Sequence, residues 1–136
     1  MMPFKNFIDL FSGIYTDFDK IYPNQCMDLA HFYVFICLGI YDKSVLAADV
    51  AKNVWLKFNP AWGKYFKKIA NVYWDTTQFP VNGDIIIWNG TDGHIAIVVD
   101  ANGMNFHSFD ANYPVGTRPH IQYHNYDNVL GWLRKI

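Results

Sequence analysis

The apolar positions of this chain follow two periods in succession. Phe4, Phe7, Ile8, Phe11 and Ile14 recur at spacings of three and four, which predicts an amphipathic helix over residues 3–14. Polar Asn24 and Gln25 then precede an apolar run over 29–37, so a second helix is expected from about 25 to 40, with Asn24 as N-cap and Gly39 near its end. Residues 45–58 read as a third helix, stopped by Asn59-Pro60. Residues 61–71 mix Trp62, Tyr65, Phe66 and Ile69 with lysines, and are expected to form a short helix or an irregular surface segment. A connector follows, ending in the turn Asn82-Gly83.

Beyond Gly83 the pattern becomes that of strands. Residues 84–88, 94–99 and 104–109 read as strands rich in Ile, Val and aromatic residues, and 119–125 and 129–135 as two more. Asn89-Gly90, Asp92-Gly93 and residues 100–103 supply the turns. Helices first and antiparallel strands afterwards define an α+β fold, with N-terminal helices packed on an antiparallel sheet. The length of 136 residues predicts one domain spanning 1–136.

Composition narrows the function. A net charge of −1 supplies no field for nucleic acid or an anionic membrane. No stretch reaches about 18 uncharged apolar residues, so membrane insertion is not expected. Residues 1–12 carry Lys5 and Asp9 and lack a long apolar core, so they read as the amphipathic helix and not as a signal peptide. Aromatic residues reach 18%, beyond what a core of this size calls for, and such a surplus suits grooves that bind sugars or peptides. Cys26 and Cys37 are separated by about 16 Å on one continuous helix, too far for a disulfide, so both thiols are expected to be reduced.

The candidate chemistry centres on Cys26. At the start of a helix, the positive end of the helix dipole favours a thiolate; the bland alternative is a buried, inert thiol. His94 opens a core strand directly after Gly93, and Asp110 and Asn112 end the next one. A catalytic thiol needs an imidazole to take its proton, and the imidazole needs a third polar group, here Asp110 or Asn112, to fix its tautomer. Gln25 would place a donor where an oxyanion develops. His31 reads as a packed or surface residue, and His107, His120 and His124 as structural or surface residues.

The twelve residues 17–28 carry a second signal. Carboxylates fall at the first, third and twelfth positions (Asp17, Asp19, Asp28), and Ile21 and Pro23 would offer main-chain oxygens at the fifth and seventh. A Ca²⁺ ion takes about six to eight oxygens from such a curled loop. Tyr22 stands where an EF-hand has Gly, so the loop is not a standard EF-hand, and a solvated acidic loop is the alternative.

Four ordered blocks, residues 25–29 (Gln-Cys-Met-Asp-Leu), 83–88 (Gly-Asp-Ile-Ile-Ile-Trp), 93–98 (Gly-His-Ile-Ala-Ile-Val) and 110–113 (Asp-Ala-Asn-Tyr), resemble the CHAP domain, the cysteine- and histidine-dependent amidohydrolase/peptidase family common in phage endolysins. The resemblance runs from Asp17 to Arg134. It implies a papain-like fold, hydrolysis of an amide in peptidoglycan, Cys26 as nucleophile, His94 as base and Gln25 in the oxyanion hole. It also implies a structural Ca²⁺ held by Asp17, Asp19, Ile21, Pro23 and Asp28, and a monomer made in an infected host's cytoplasm that reaches the wall after release. Asp110 stands where the family often has Glu, Tyr113 where Trp is frequent, and Lys20 and Ile21 where Gly and Tyr are frequent. A non-catalytic wall-binding module and an intracellular cysteine peptidase acting on protein are the competing readings.

Overall fold

The computed structural model describes residues 1–14 and 25–136. Three helices, α1 (Phe4–Phe11), α2 (Cys26–Ile36) and α3 (Ala51–Leu56), and a 3₁₀ turn (Pro60–Lys64) precede or flank six strands: β1 (Phe66–Ala70), β2 (Ile85–Trp88), β3 (His94–Ala101), β4 (Asn105–Asp110), β5 (His120–Asn125) and β6 (Val129–Lys135). The strands form one sheet in the order β1-β6-β2-β3-β4-β5, and every described pairing is antiparallel. This is the α+β arrangement that the sequence pattern predicts.

Alternation along the central strands feeds two cores. Ile85 and Ile87 of β2 and Ile95 and Ile97 of β3 face the helices, where they join Phe7, Leu29, Val34 and Val54. Ile86, Trp88, Ala96 and Val98 face the other way, onto Phe106, Val129 and Trp132. With both faces covered, all four β2 residues are buried, which is why this stretch has no polar alternation. Phe7 is fully buried, with its ring 5.8 Å from Tyr33 and 6.1 Å from Phe109 by centroids, so α1 is pinned to α2 and the sheet together. Burying such an aromatic side chain contributes about 2–3 kcal/mol.

The sheet is not flat. Three strand spacings would separate β2 from β5 by about 14 Å, yet the rings of Trp88 and His124 lie 5.0 Å apart. The sheet therefore curls around its second face. A register shift between Val98 and Asp100, where β3 meets β4, supplies extra local twist.

Three elements differ from the sequence reading. The third helix covers only Ala51–Leu56 of the expected 45–58. Leu46 takes a left-handed φ of 61°, and Asp49 Oδ1 accepts from Val50 N at 2.9 Å and Asn53 Nδ2 at 2.7 Å, so a local side-chain turn replaces the first helical turns. Within 61–71, residues 61–64 belong to the 3₁₀ turn, as a short helix was expected, but Phe66–Ala70 form strand β1, paired through Phe66↔Lys135 to Ala70↔Gly131. The N-cap of α2 is Gln25 and not Asn24.

Candidate active site

Cys26 is the first residue of α2. Gln25 caps the helix in extended geometry (φ −85°, ψ 152°), and its backbone N–H donates to Asp28 Oδ2 at 3.3 Å, half of a capping box that fixes how the chain enters the helix. The Asp28 and Leu29 N–H groups donate to the Gln25 carbonyl at 3.1 and 3.3 Å, which closes the first turn directly behind the thiol.

His94 is set by the turn before it. Gly93 has a φ of +76°, and a Cβ there would meet Lys52 Cβ and the Trp88 carbonyl oxygen, each at 2.6 Å. Only glycine allows α3 to lie this close, and Lys52 N donates to the Asp92 carbonyl at 3.0 Å across the gap. His94 pairs with Trp88 across β2 and β3, and its ring lies between Trp88 at 5.0 Å and Tyr113, stacked at 4.8 Å.

Asp110 ends β4 on the same face of the sheet and is fully buried. Ser108 Oγ donates to its Oδ1 at 2.5 Å. Its Oδ2 lies 2.7 Å from His124 Nε2 and 3.5 Å from His94 Nε2. The second distance is that of an ion pair and not of a formed hydrogen bond, and His94 Nε2 is buried with no closer partner among the described residues. Burial works against a charged His94, but the pull of Asp110 and of Cys26 reverses this and raises its pKa to about 9. Burial also works against a charged Asp110, and the bonds with His124 and Ser108, together with the nearby His94, outweigh it and lower its pKa to about 2. A cationic imidazole beside the thiol, backed by a carboxylate, is thus the favoured state at neutral pH.

Asn112 does other work. At a left-handed φ of 62°, it donates from Nδ2 to Gln25 Oε1 at 3.1 Å, while its Oδ1 accepts from Gly116 N at 2.6 Å. Asp110 thus faces His94, whereas Asn112 reaches the Gln25 side chain. A groove of about 480 Å³ runs between the first turn of α2, residues 48–51, the turn at 92–94 and residues 112–115; Gln25, Cys26, His94 and Asn112 line it, and Asp110 lies beneath it.

Cys37 is the second free thiol; burial raises its pKa to about 11, which keeps it protonated. His31 packs against the Leu46 carbonyl at 3.2 Å, His107 pairs with exposed Asp100 at 2.7 Å, and His120 meets the Arg118 carbonyl at 2.8 Å, all structural contacts. His124 departs from the sequence reading, because it belongs to the Asp110 cluster. Of the five predicted metal ligands, only Asp28 is within the described residues, buried at the start of α2; Asp17, Asp19, Ile21 and Pro23 lie outside them.

A thiol at a helix start, an imidazole at the head of a core strand and a buried carboxylate behind it are thus gathered at one place on an α+β scaffold. The sequence profile of the CHAP domain matches residues 16–112, and this chain belongs to that family. Endolysin PlyTW of Staphylococcus phage Twort (strain DSM 17442 / HER 48) is 34% identical over 90 residues, which cover 62% of this chain and 17% of the endolysin. The crystal structure of wild-type endolysin LysIME-EF1 matches 98% of this chain at a TM-score of 0.64 and 25% identity, over 64% of its own length. That of Ly7917 matches 96% at 0.61 and 17% identity, over 60% of its length, a likeness of fold alone. The chain therefore spans less than two thirds of each of these relatives.

Proposed function

We propose that this domain hydrolyses an amide bond of bacterial peptidoglycan through a Cys26 thioester, as the catalytic part of an endolysin made in an infected cell and acting on the wall after release. The observation that carries the reading is the convergence of Cys26, His94 and Gln25 in one groove over buried Asp110. The likeness to proteins named as endolysins supplies the substrate class. A wall-binding module or a protein peptidase is the weaker reading: a binder has no use for a buried carboxylate that keeps an imidazole charged beside a thiol.

In the proposed reaction the Cys26 thiolate attacks the amide carbonyl carbon, and the carbonyl oxygen becomes an oxyanion. The Gln25 side chain, oriented by Asn112, and the backbone N–H of Cys26 stabilise that charge. The His94 imidazolium gives its proton to the leaving nitrogen, the C–N bond breaks and an amine departs, leaving a thioester. Neutral His94 then takes a proton from water, the hydroxide adds to the thioester, and the acid is released with the thiolate and imidazolium restored. Asp110 holds the imidazole and its charge throughout.

The five candidate ligands within 17–28 offer only oxygen atoms, and Asp28 presents a buried carboxylate where that stretch enters α2. These residues fit a hard cation. Asp17, Asp19 and Asp28, with the carbonyls of Ile21 and Pro23, would hold a structural Ca²⁺ that offsets their mutual repulsion. Ca²⁺ would take no part in the attack.

The testing experiment is digestion of purified cell walls followed by mass spectrometry of the soluble fragments. Fragments ending at a freed lactyl group identify an amidase, and fragments cut within the stem peptide or cross-bridge an endopeptidase. Solubilised material with every amide intact would refute the proposal.

A further inference from the structure

Asp110 is one buried carboxylate facing two histidines, and the shorter contact is to the one outside the groove. His124 Nε2 stands 2.7 Å from Oδ2, against 3.5 Å for His94 Nε2. The His124 ring is boxed by Trp88 at 5.0 Å, Phe106 at 5.3 Å and Tyr113 at 5.9 Å, and Trp88 and Tyr113 also enclose His94. We propose that His124 is a positioning residue: it anchors the Asp110 carboxylate by the short bond and so keeps that carboxylate at arm's length from His94. The inference rests on the reading of Cys26 and His94 as the working pair.

The argument is one of charge and of hydrogen-bond supply. A single negative charge in a dry site supports one imidazolium, since a second would leave an unpaired buried cation. In the proposed arrangement His124 supplies an Nε2–H to Oδ2 across the 2.7 Å contact, while Ser108 donates to Oδ1. The carboxylate is thus pinned at both oxygens before His94 is counted. A full hydrogen bond from His94 Nε2–H to Asp110 would raise the basicity of the imidazole and slow proton transfer to a leaving amine; the short contacts with His124 and Ser108 hold the carboxylate where its distance to His94 stays at 3.5 Å. The titratable and charged groups facing the two rings are Asp110 from β4, Cys26 from α2 and Tyr113 after β4. Asp92 and Asp127 also border the cavity of about 340 Å³ beside both rings.

The test compares His124→Phe, which fills the box without a donor, with His124→Gln, which restores a donor. The first readout is the titration of the His94 Cε1–H resonance by NMR in a Cys26→Ala background, which needs no turnover and so is separable from failure of the hydrolase reading. The second is the pH profile of wall solubilisation with Cys26 present. His124→Phe is expected to raise the His94 midpoint by about one pH unit and to lower the maximal rate about tenfold, with the alkaline limb displaced upward. His124→Gln is expected to stay near the parent in both. The same His94 midpoint in all three proteins would overturn the proposal, as would Gln and Phe variants that behave alike. Should His124→Phe not fold, the ring ¹⁵N shifts of the parent decide: a neutral Nε2–H tautomer of His124 while His94 is charged supports the proposal, and a charged His124 beside a neutral His94 overturns it.

Discussion

Asp110 and Asn112 stand two residues apart, and their side chains reach different members of the site. Asp110 faces the imidazole, whereas Asn112 holds Gln25, so removing them is expected to have different consequences. Asp110→Asn is expected to cut the rate of wall solubilisation on the order of 10²- to 10⁴-fold, because the imidazolium loses its counter-charge. Asn112→Ala is expected to cost about tenfold, since the oxyanion donor loses its orientation but is not removed. Rates measured on variants with matched circular dichroism spectra check both. Cys37→Ala is expected to retain full activity and to lose about 1 kcal/mol of stability, because that half-buried thiol is a packing group. The types and order of Gln25, Cys26, His94, Asp110 and Asn112 are legible because each sits at the start or end of a strongly patterned element. His124 is not, because β5 is inverted. Its polar residues His120, Gln122 and His124 face inward while Ile121 and Tyr123 are 48% and 62% exposed, the reverse of the usual rule.

At the scale of elements, local patterns foretold α1, α2 and five of the six strands, since each carries its own period and its own turn residues. β1 escaped because its partner β6 lies at the far end of the chain, and its lysines suit an exposed edge as well as a helix face. α3 was over-extended because the apolar spacing of 45–50 is helical, while Leu46 and Asp49 turn the backbone. The same elements predict a sensitive joint at Gly93. A methyl group there clashes with both α3 and β2 and also requires a left-handed backbone. Gly93→Ala is expected to lower stability by about 2–3 kcal/mol and to reduce activity further by shifting His94. Thermal melts alongside rates at a temperature where the variant is folded separate the two effects. A fully active and stable Gly93→Ala protein would mean that α3 does not hold the histidine.

At the scale of the molecule, two pKa shifts fix a pH dependence. His94 binds its proton more tightly folded than unfolded, with its pKa raised from 6.5 to about 9. Its stabilising contribution is complete below about pH 6.5 and is lost as pH rises through about 9. Asp110 has the opposite sign: its contribution is present above about pH 3.8 and is lost as pH falls through about 2. Melting temperatures are therefore expected to decline above neutral pH and again in acid, with the alkaline decline flattened in His94→Ala. An unchanged alkaline slope in that variant would remove His94 as the cause. The proposed Ca²⁺ adds a further dependence. Millimolar Ca²⁺ is expected to raise the melting temperature of metal-stripped protein by mass action, and Asp19→Ala to abolish the shift. Calorimetric titration without binding heat would leave residues 17–28 as a solvated acidic loop.

The most direct test of the whole account is the count of new amino and carboxyl termini released from purified walls by the parent protein and by Cys26→Ala, at equal folded concentration. The account predicts one new amine for each new carboxyl group with the parent, and none above the enzyme-free background with Cys26→Ala. Release of termini by a folded Cys26→Ala protein at anything near the parent rate would contradict it.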